Sequence, residues 1–411
     1  MDQPEQVVIQ PRGYVQTMLQ RVLSAIVRFI GRLTYRMYIL LGVLLVTVIS
    51  LFTIFPQLPT GFHTALFVTQ VLNVPVKPQT WFTLEPVRAE ITYERPDQRG
   101  QADVYYIPDG KRRAGLLVFL GANAAGRDDA DVVNFGNALA RAGYVPMFSW
   151  SPTMGLQNNV DPAEVENLVW AFQHLRSLEY VDPDRVGMAG FSVGGSFVMV
   201  AASDPRIRDD VSFINAFGAY YDARHFFTQI ASNTKRSGDT VEHWDVDKLT
   251  RRVFANELIE VAPTEQERNI LTRRFVDNAE VTQDELDQLG GTADISRRLL
   301  DGTDPQEAER LLNQMPADFL EELDGISPSN HIDNFENLLL IMHDVGDPLI
   351  PVGESRRLVE TLQGQGRQDM RYTETEIFEH VRPGADLQLW PLVKGASKLY
   401  LHMYGILRMA A

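Results

Sequence analysis

The stretch from Arg185 to Ser203, RVGMAGFSVGGSFVMVAAS, limits the possible folds more than any other part of the chain. An apolar run suited to a buried strand, Val186–Phe191, passes without a loop into Val193–Ser203, a run of small and apolar residues suited to a helix. Ser192 stands at the junction, with Gly190 before it and Gly194 and Gly195 after it. So abrupt a change of direction imposes dihedrals that a Cβ resists, and flanking glycines remove the clash. A strand feeding straight into a helix belongs to a sheet whose faces are covered by helices.

The rest of the chain repeats that rhythm. Apolar runs and alternation predict strands at 87–94, 101–107, 115–120, 144–149, 211–217, 337–343 and 372–378. Helical patterns cover 129–142, 162–178 (entered through Asp161-Pro162), 353–362 and 387 to about 409. A mainly parallel sheet follows, with an antiparallel edge where no helix separates the first two strands. From 223 to 324 the strand rhythm stops. That segment carries 22 acidic against 12 basic residues and repeated helix starts, Thr264-x-x-Glu267, Thr282-x-x-Glu285 and Asp304-Pro305. It reads as a helical insertion, either a lid over a site or a charged appendage, dividing a core of 87–222 and 325–411.

The front of the chain has a different character. Residues 1–36 hold five arginines against Asp2 and Glu5, net +3, within a chain of net charge −16. Val15, Met18, Leu19, Val22, Leu23, Ile26, Ile30 and Leu33 share one helical face and Arg21, Arg28, Arg32 and Arg36 the other. That pattern suits an amphipathic leader on an anionic leaflet, or a basic flank that only sets orientation. Met37–Phe55, MYILLGVLLVTVISLFTIF, then runs nineteen residues without a charge. About 20 apolar residues span the hydrocarbon of a bilayer. A cleaved signal peptide fits poorly, for want of a small-x-small site in PQLPTGF, and buried core helices are usually shorter. The expectation is a single span with a cytoplasmic N-terminus and the remainder across the membrane. Residues 56–86 read as a Pro-bearing connector.

Several function classes fall away. The acidic balance disfavours a nucleic-acid surface. Without cysteine there is no disulfide, thiolate metal site or cysteine nucleophile. No metal or phosphate-loop motif is present, and the acids of EHWDVD, Glu242–Asp247, read more simply as a solvated loop than as a cation site.

Gly190-Phe191-Ser192-Val193-Gly194 is a G-x-S-x-G match in a strand–turn–helix setting, which lifts the serine to the sheet's carboxyl edge at the positive end of a helix dipole. A serine hydroxyl needs a base. Of the eight histidines, His380 in IFEHVRPG follows the last strand, at the edge where open parallel sheets gather ligands. His343 ends a strand and suits a satisfied core position. A carboxylate should orient the base. Asp344 and Asp347 in HDVGDPLIP are the candidates, and Asp347, in a turn, can swing over the sheet edge.

From about 87 to 409 the chain resembles the α/β-hydrolases, near the dienelactone hydrolase and prolyl-oligopeptidase-like esterase branch. The phrases that carry the likeness are VDPDRVGMAGFSVGGS, LARAGYVPMFSW, HDVGDPLIPVGES and IFEH. The resemblance implies hydrolysis of acyl esters or related bonds through Ser192, Asp347 and His380, with no metal or organic cofactor. It also favours Asp347 as the acid, just before the PLIP run. An oxyanion hole would come from the backbone N–H groups of Ala122 and Val193. The family's His-Gly after the third strand is here Leu120-Gly121, and a cysteine-dependent dienelactone chemistry is excluded. The expected function is a membrane-anchored serine esterase acting on a small or lipid-like ester. A serine peptidase, or an inactive hydrolase fold serving as a binding or scaffold protein, are the alternatives.

Overall fold

The computed structural model describes Met37 and residues 57–72, 76–96, 99–122, 126–238, 240–384 and 389–410. The leader 1–36 and, apart from Met37, the uncharged run to Phe55 lie outside these. Among the described residues no helix is long and apolar enough to cross a membrane. The chain divides into a unit ending at Pro59 and a second, Thr60–Ala411, that holds the sheet.

Its centre is an eight-stranded sheet in the order β1-β2-β4-β3-β5-β6-β9-β10. The strands are β1 Val87–Glu94, β2 Arg99–Tyr106, β3 Arg113–Phe119, β4 Tyr144–Trp150, β5 Val181–Phe191, β6 Val211–Phe217, β9 Leu338–Asp344 and β10 Met370–Thr375. The β1–β2 and β2–β4 pairs are antiparallel and all others parallel. The fold is therefore α/β and mostly parallel, with the expected antiparallel edge. β3 and β4 are buried almost throughout, as strands covered on both faces must be. Two apolar clusters sit on opposite faces, one around Leu117, Met188 and Phe197, the other around Leu116, Val118 and Phe213. Alternate residues of the same strands feed each cluster, the period-2 consequence of a pleated backbone.

In chain order the helices are α1 Gln57–Val71, α2 Gln79–Phe82, α3 Ala130–Arg141, α4 Ala163–Ser177, α5 Val193–Ala202, α6 Ala223–Ser232, α7 Lys248–Glu260, α8 Glu265–Phe275, α9 Gln283–Leu286, α10 Gly291–Asp301, α11 Pro305–Leu312, α12 Ala317–Gly325, α13 Gly353–Gly364 and α14 Leu389–Leu407. Both Thr capping boxes form, at the starts of α8 and α9, and Asp304 caps α11 with Pro305 in its first turn.

Four sequence expectations need correction. The connector over 56–86 contains α1 and α2. Pro59 falls in the first turn of α1, where no hydrogen bond is lost, and Gly61 lies where a Cβ would stand 2.9 Å from the Tyr400 hydroxyl. The insertion is not wholly helical, because β7 Thr234–Ser237 and β8 Thr240–His243 form an antiparallel hairpin within it. β5 begins at Val181, five residues early: Val181 and Asp182 pair with Arg113 and Ala114, and a register shift at Ala114/Gly115 then brings Val186 opposite Gly115. β10 stops at Thr375, opposite Asp344 at the end of β9, and Phe378 leaves for a short antiparallel pair with Pro383, its N–H accepted by Asp344 Oδ2 at 2.9 Å.

Candidate active site

Ser192 directly follows β5 and takes the N-cap position of α5 with φ 56° and ψ −139°. Among the described non-glycine residues with positive φ, Asn158, Asn233 and Asn278 are of the type that tolerates it, and the other two are Ser192 and His380. Backbone strain at non-Asn positions persists only where surrounding structure enforces it. At Ser192 the enforcement is visible. A Cβ on Gly190 would lie 2.2 Å from Gly194 O, and one on Gly194 would lie 2.5 Å from Phe119 O. Both glycines of the motif are sterically required. The Ser192 N–H is held by Phe217 O at 2.8 Å, which ties the turn to the end of β6.

The loop after β3 meets this turn backbone to backbone. Gly121 has φ +68°, and a Cβ there would stand 2.5 Å from Gly194 N. Ala122 and Val193 line one cavity with Ser192. As the first residue of α5, Val193 has no intrahelical acceptor for its N–H. The departure from His-Gly is thereby accommodated: glycine makes the close approach, while Leu120 packs against the second apolar cluster.

Asp347 and His380 come together from the ends of β9 and β10. His380 Nδ1 lies 2.6 Å from Asp347 Oδ2, both side chains being buried. Asp347 Oδ1 accepts the N–H groups of Leu349 (2.8 Å) and Ile350 (3.0 Å). Burial alone would raise the Asp347 pKa, but hydrogen bonds from His343 and His380 outweigh it and hold the carboxyl well below its usual range. An ionised carboxylate only accepts, so the His380 proton sits on Nδ1 and the lone pair on Nε2. That Nε2 is buried with no partner among the described residues. The pair lies against Gly218, where a Cβ would be 3.2 Å from His380 Cε1 and 3.3 Å from Asp347 Oδ2. Gly218 directly follows Phe217, which holds Ser192. The serine and the His–Asp pair thus flank one corner of β6.

Asp344 points elsewhere. Its carboxylate accepts Gly346 N–H at 2.9 Å as well as Phe378 N–H, and burial pushes its pKa up. It shapes the loop that carries His380 without touching the ring nitrogens.

Sequence reading left two contributors without a role in the site. His343 is fully buried, with Nδ1 2.7 Å from Ser355 Oγ and Nε2 2.9 Å from Ile350 O and 3.3 Å from Asp347 Oδ2. Its Nε2–H is a second donor toward the acid. Asp103 on β2 has a buried carboxylate gripped by Arg127 (2.7 and 3.1 Å), Arg88 (3.1 Å) and Trp150 Nε1 (2.8 Å). Arg127 lies in the segment leading into α3, so this pair fixes the approach to that helix against β2. An acid at an inward position of an alternating strand was the available signal. His402, by contrast, is a core residue, 2.8 Å from Asn215 Oδ1, its pKa pushed down to about 3 by burial and by Arg371.

The cavity beside Ser192 has a volume of about 50 Å³ and a lining without charged side chains. The insertion builds much of it, through Phe226, Phe227 and Ile230 of α6 and Leu249, Val253 and Phe254 of α7. Thr250 Oγ1 donates to Leu349 O (3.0 Å), joining α7 to the Asp347 loop. Glu257 Oε1 accepts Val160 N–H at 2.5 Å, and burial pushes this carboxyl up to about 8. Among the described residues no group of three or more His, Asp or Glu could hold a metal ion.

No family model matches the chain, and no curated protein matches it. Among solved structures it is similar to an acylaminoacyl peptidase in complex with Z-Gly-Gly-Phe-chloromethyl ketone, with 12% identity over 79% of this chain and 41% of that one and a TM-score of 0.45. It is similar to a Mycobacterium tuberculosis puromycin-hydrolyzing peptidase, at 14% identity over 79% of this chain and 39% of that one, TM-score 0.46. It is also similar to an esterase from the archaeon Pyrobaculum calidifontis, at 16% identity over 86% and 93% of the two chains, TM-score 0.42. The chain spans about two fifths of the length of those peptidases and nearly all of the esterase. Likenesses at this level carry no chemistry, which rests on Ser192, Asp347 and His380.

Proposed function

We propose that the protein is a serine hydrolase that cleaves carboxylic esters through an acyl-enzyme. The observation that carries this reading is the His380–Asp347 pair: Nδ1 lies 2.6 Å from Asp347 Oδ2, Nε2 is buried with no partner among the described residues, and the pair packs against Gly218, next to the Phe217 carbonyl that holds the strained Ser192. A base so placed takes the Ser192 proton as the hydroxyl oxygen bonds the ester carbonyl carbon. The oxyanion is received by the N–H groups of Val193 and Ala122. His380 then returns the proton to the leaving alcohol, and water repeats the sequence to release the acid and restore Ser192. The uncharged cavity suits an apolar acyl group, and nothing in its lining would recognise the ammonium of a peptide N-terminus.

A p-nitrophenyl ester series tests substrate class. Turnover should rise several-fold per added methylene, at about 0.8 kcal/mol each, until the cavity is filled, and then fall. Peptide anilides should be at least ~10²-fold poorer, because the cavity offers no partner for their polar groups. Anilides outrunning every ester would make the protein a peptidase.

The reading includes two further parts. The insertion, 223–324, serves as a lid, supported by the share of the cavity it lines. Replacing 226–322 with a short linker, which keeps His225 on Glu354, should leave a folded core with altered ester selectivity, and an unfolded core would make the insertion purely structural. Met37–Phe55 anchors the chain, with the leader in the cytoplasm and the catalytic domain on the other side, supported by nineteen uncharged residues after an arginine-rich leader. The full chain should resist carbonate extraction from membranes, and added protease should digest the domain while sparing the leader. Release by carbonate contradicts the anchor.

A further inference from the structure

The surface formed by α1 and α2 is unusually apolar for so acidic a protein. From Met37 to Leu84 the single formal charge is Lys77. Even that charge is turned inward, since Lys77 Nζ donates to the carbonyls of Leu72 (2.5 Å), Gln70 (2.8 Å) and Thr69 (3.3 Å) at the end of α1. One side of α1 is buried through Phe67 and Val68, with Leu72 buried just past its end. The segment after it is fixed to α3: Gln79 Nε2 donates to Ala138 O at 2.9 Å, and Arg141 donates to Thr83 O (3.2 Å) and Leu84 O (2.7 Å). On this fixed backbone Trp81 is 69% exposed, Phe82 62%, Leu84 62% and Phe62 40%. The three rings form a continuous group, with ring centroids 5.7 Å apart for Phe62–Phe82 and 6.5 Å for Trp81–Phe82.

α14 lies alongside, its Tyr400 hydroxyl 3.2 Å from Gly61 O. It exposes Trp390 and Leu401, and from Leu387 to the last residue the chain has Lys394, Lys398 and Arg408 but no acid. Large apolar groups held outward on a rigid frame mark a contact surface. Exposed aromatic rings held outward on a fixed backbone are the composition that settles at the headgroup level of a bilayer. The uncharged run that ends at Phe55 joins the chain to this surface within a few residues, which names the occupant.

We propose that Phe62, Trp81, Phe82 and Leu84 form a lipid-contact surface that seats the domain in the membrane interface; the inference rests on the anchoring part of the proposed function. The test uses the full chain reconstituted in phosphatidylcholine–phosphatidylglycerol vesicles, and in matched vesicles whose acyl chains carry bromine near the headgroup. Flotation reports anchoring, and bromine quenching of tryptophan fluorescence reports contact. In a Trp390→Phe background the protein should float and be quenched, and adding Trp81→Phe should leave flotation equal while most of that quenching is lost. Flotation with quenching unchanged in Trp81→Phe would overturn the surface and leave the anchor standing. Failure to float would overturn both. Trp81 shielded from bromine but cross-linked to a second copy would reassign the patch to self-association and overturn lipid contact.

Discussion

Asp347→Asn should lower ester turnover about 10⁴-fold, the loss known for the equivalent change in a serine-protease triad, with the protein still folded. The cause is the proton on His380. The oxygen of the new amide can still accept from Leu349 and Ile350, which leaves the amide nitrogen facing the His380 Nδ1 that now lies 2.6 Å from Asp347 Oδ2. An amide donor there forces Nδ1 to accept and puts the ring proton on Nε2, where it blocks abstraction from Ser192. Asp344→Asn should stay within about tenfold of wild type. It keeps one of its two backbone acceptor contacts and costs about 1–3 kcal/mol of stability, because one N–H loses its partner. Stopped-flow turnover with both variants, alongside circular dichroism, separates them. Loss of turnover in Asp344→Asn alone would move the acid.

The second large effect concerns stability. Glu354, in the first turn of α13, is fully buried, yet five donors face it: Tyr221 N–H (3.0 Å), Asp222 N–H (3.2 Å), His225 Nδ1 (2.7 Å), Gln229 Nε2 (2.7 Å) and Arg357 Nη1 (3.3 Å). Tyr221 and Asp222 are where the insertion leaves the core. Burial alone would push the carboxyl up, but His225, Arg357 and the Tyr221 N–H hold it down at about 2. Glu354→Ala leaves these donors buried without an acceptor and should cost about 3–5 kcal/mol. The pH dependence has a definite sign. Because the folded pKa lies below the unfolded value near 4.5, the unfolded chain binds the proton first as pH falls. The stabilisation is whole above about 4.5 and is lost as pH falls toward 2. Denaturant melts of Glu354→Gln should show a shallower acid slope than wild type. Identical slopes would mean that the Glu354 carboxyl is not depressed.

The sheet was legible because its strands are apolar runs bounded by turn residues and its helices change the period to 3.6. The candidate site was legible because Ser192 sits where those two periods meet, and because Asp347 and His380 both fall just past strand ends. α1 was not, since Pro59 and Gly61 read locally as breakers and only the tertiary contact of Gly61 with Tyr400 shows their use. The end of β10 was hidden for a related reason. The alternation of Tyr372–Phe378 continues through Glu376 and Ile377, and it is a side chain 34 residues away, Asp344, that takes the Phe378 N–H. His343 and Asp103 show the same limit. Each is one polar residue in an apolar strand, and its role depends on partners from other elements.

The central claim is that Ser192 is an activated nucleophile. A fluorophosphonate probe, followed by digestion and mass spectrometry, measures this most directly. The account predicts one labelled peptide, carrying its adduct on Ser192, and no labelling in Ser192→Ala with the fold unchanged. An adduct on another residue, or a folded wild-type protein that takes no label, would contradict it.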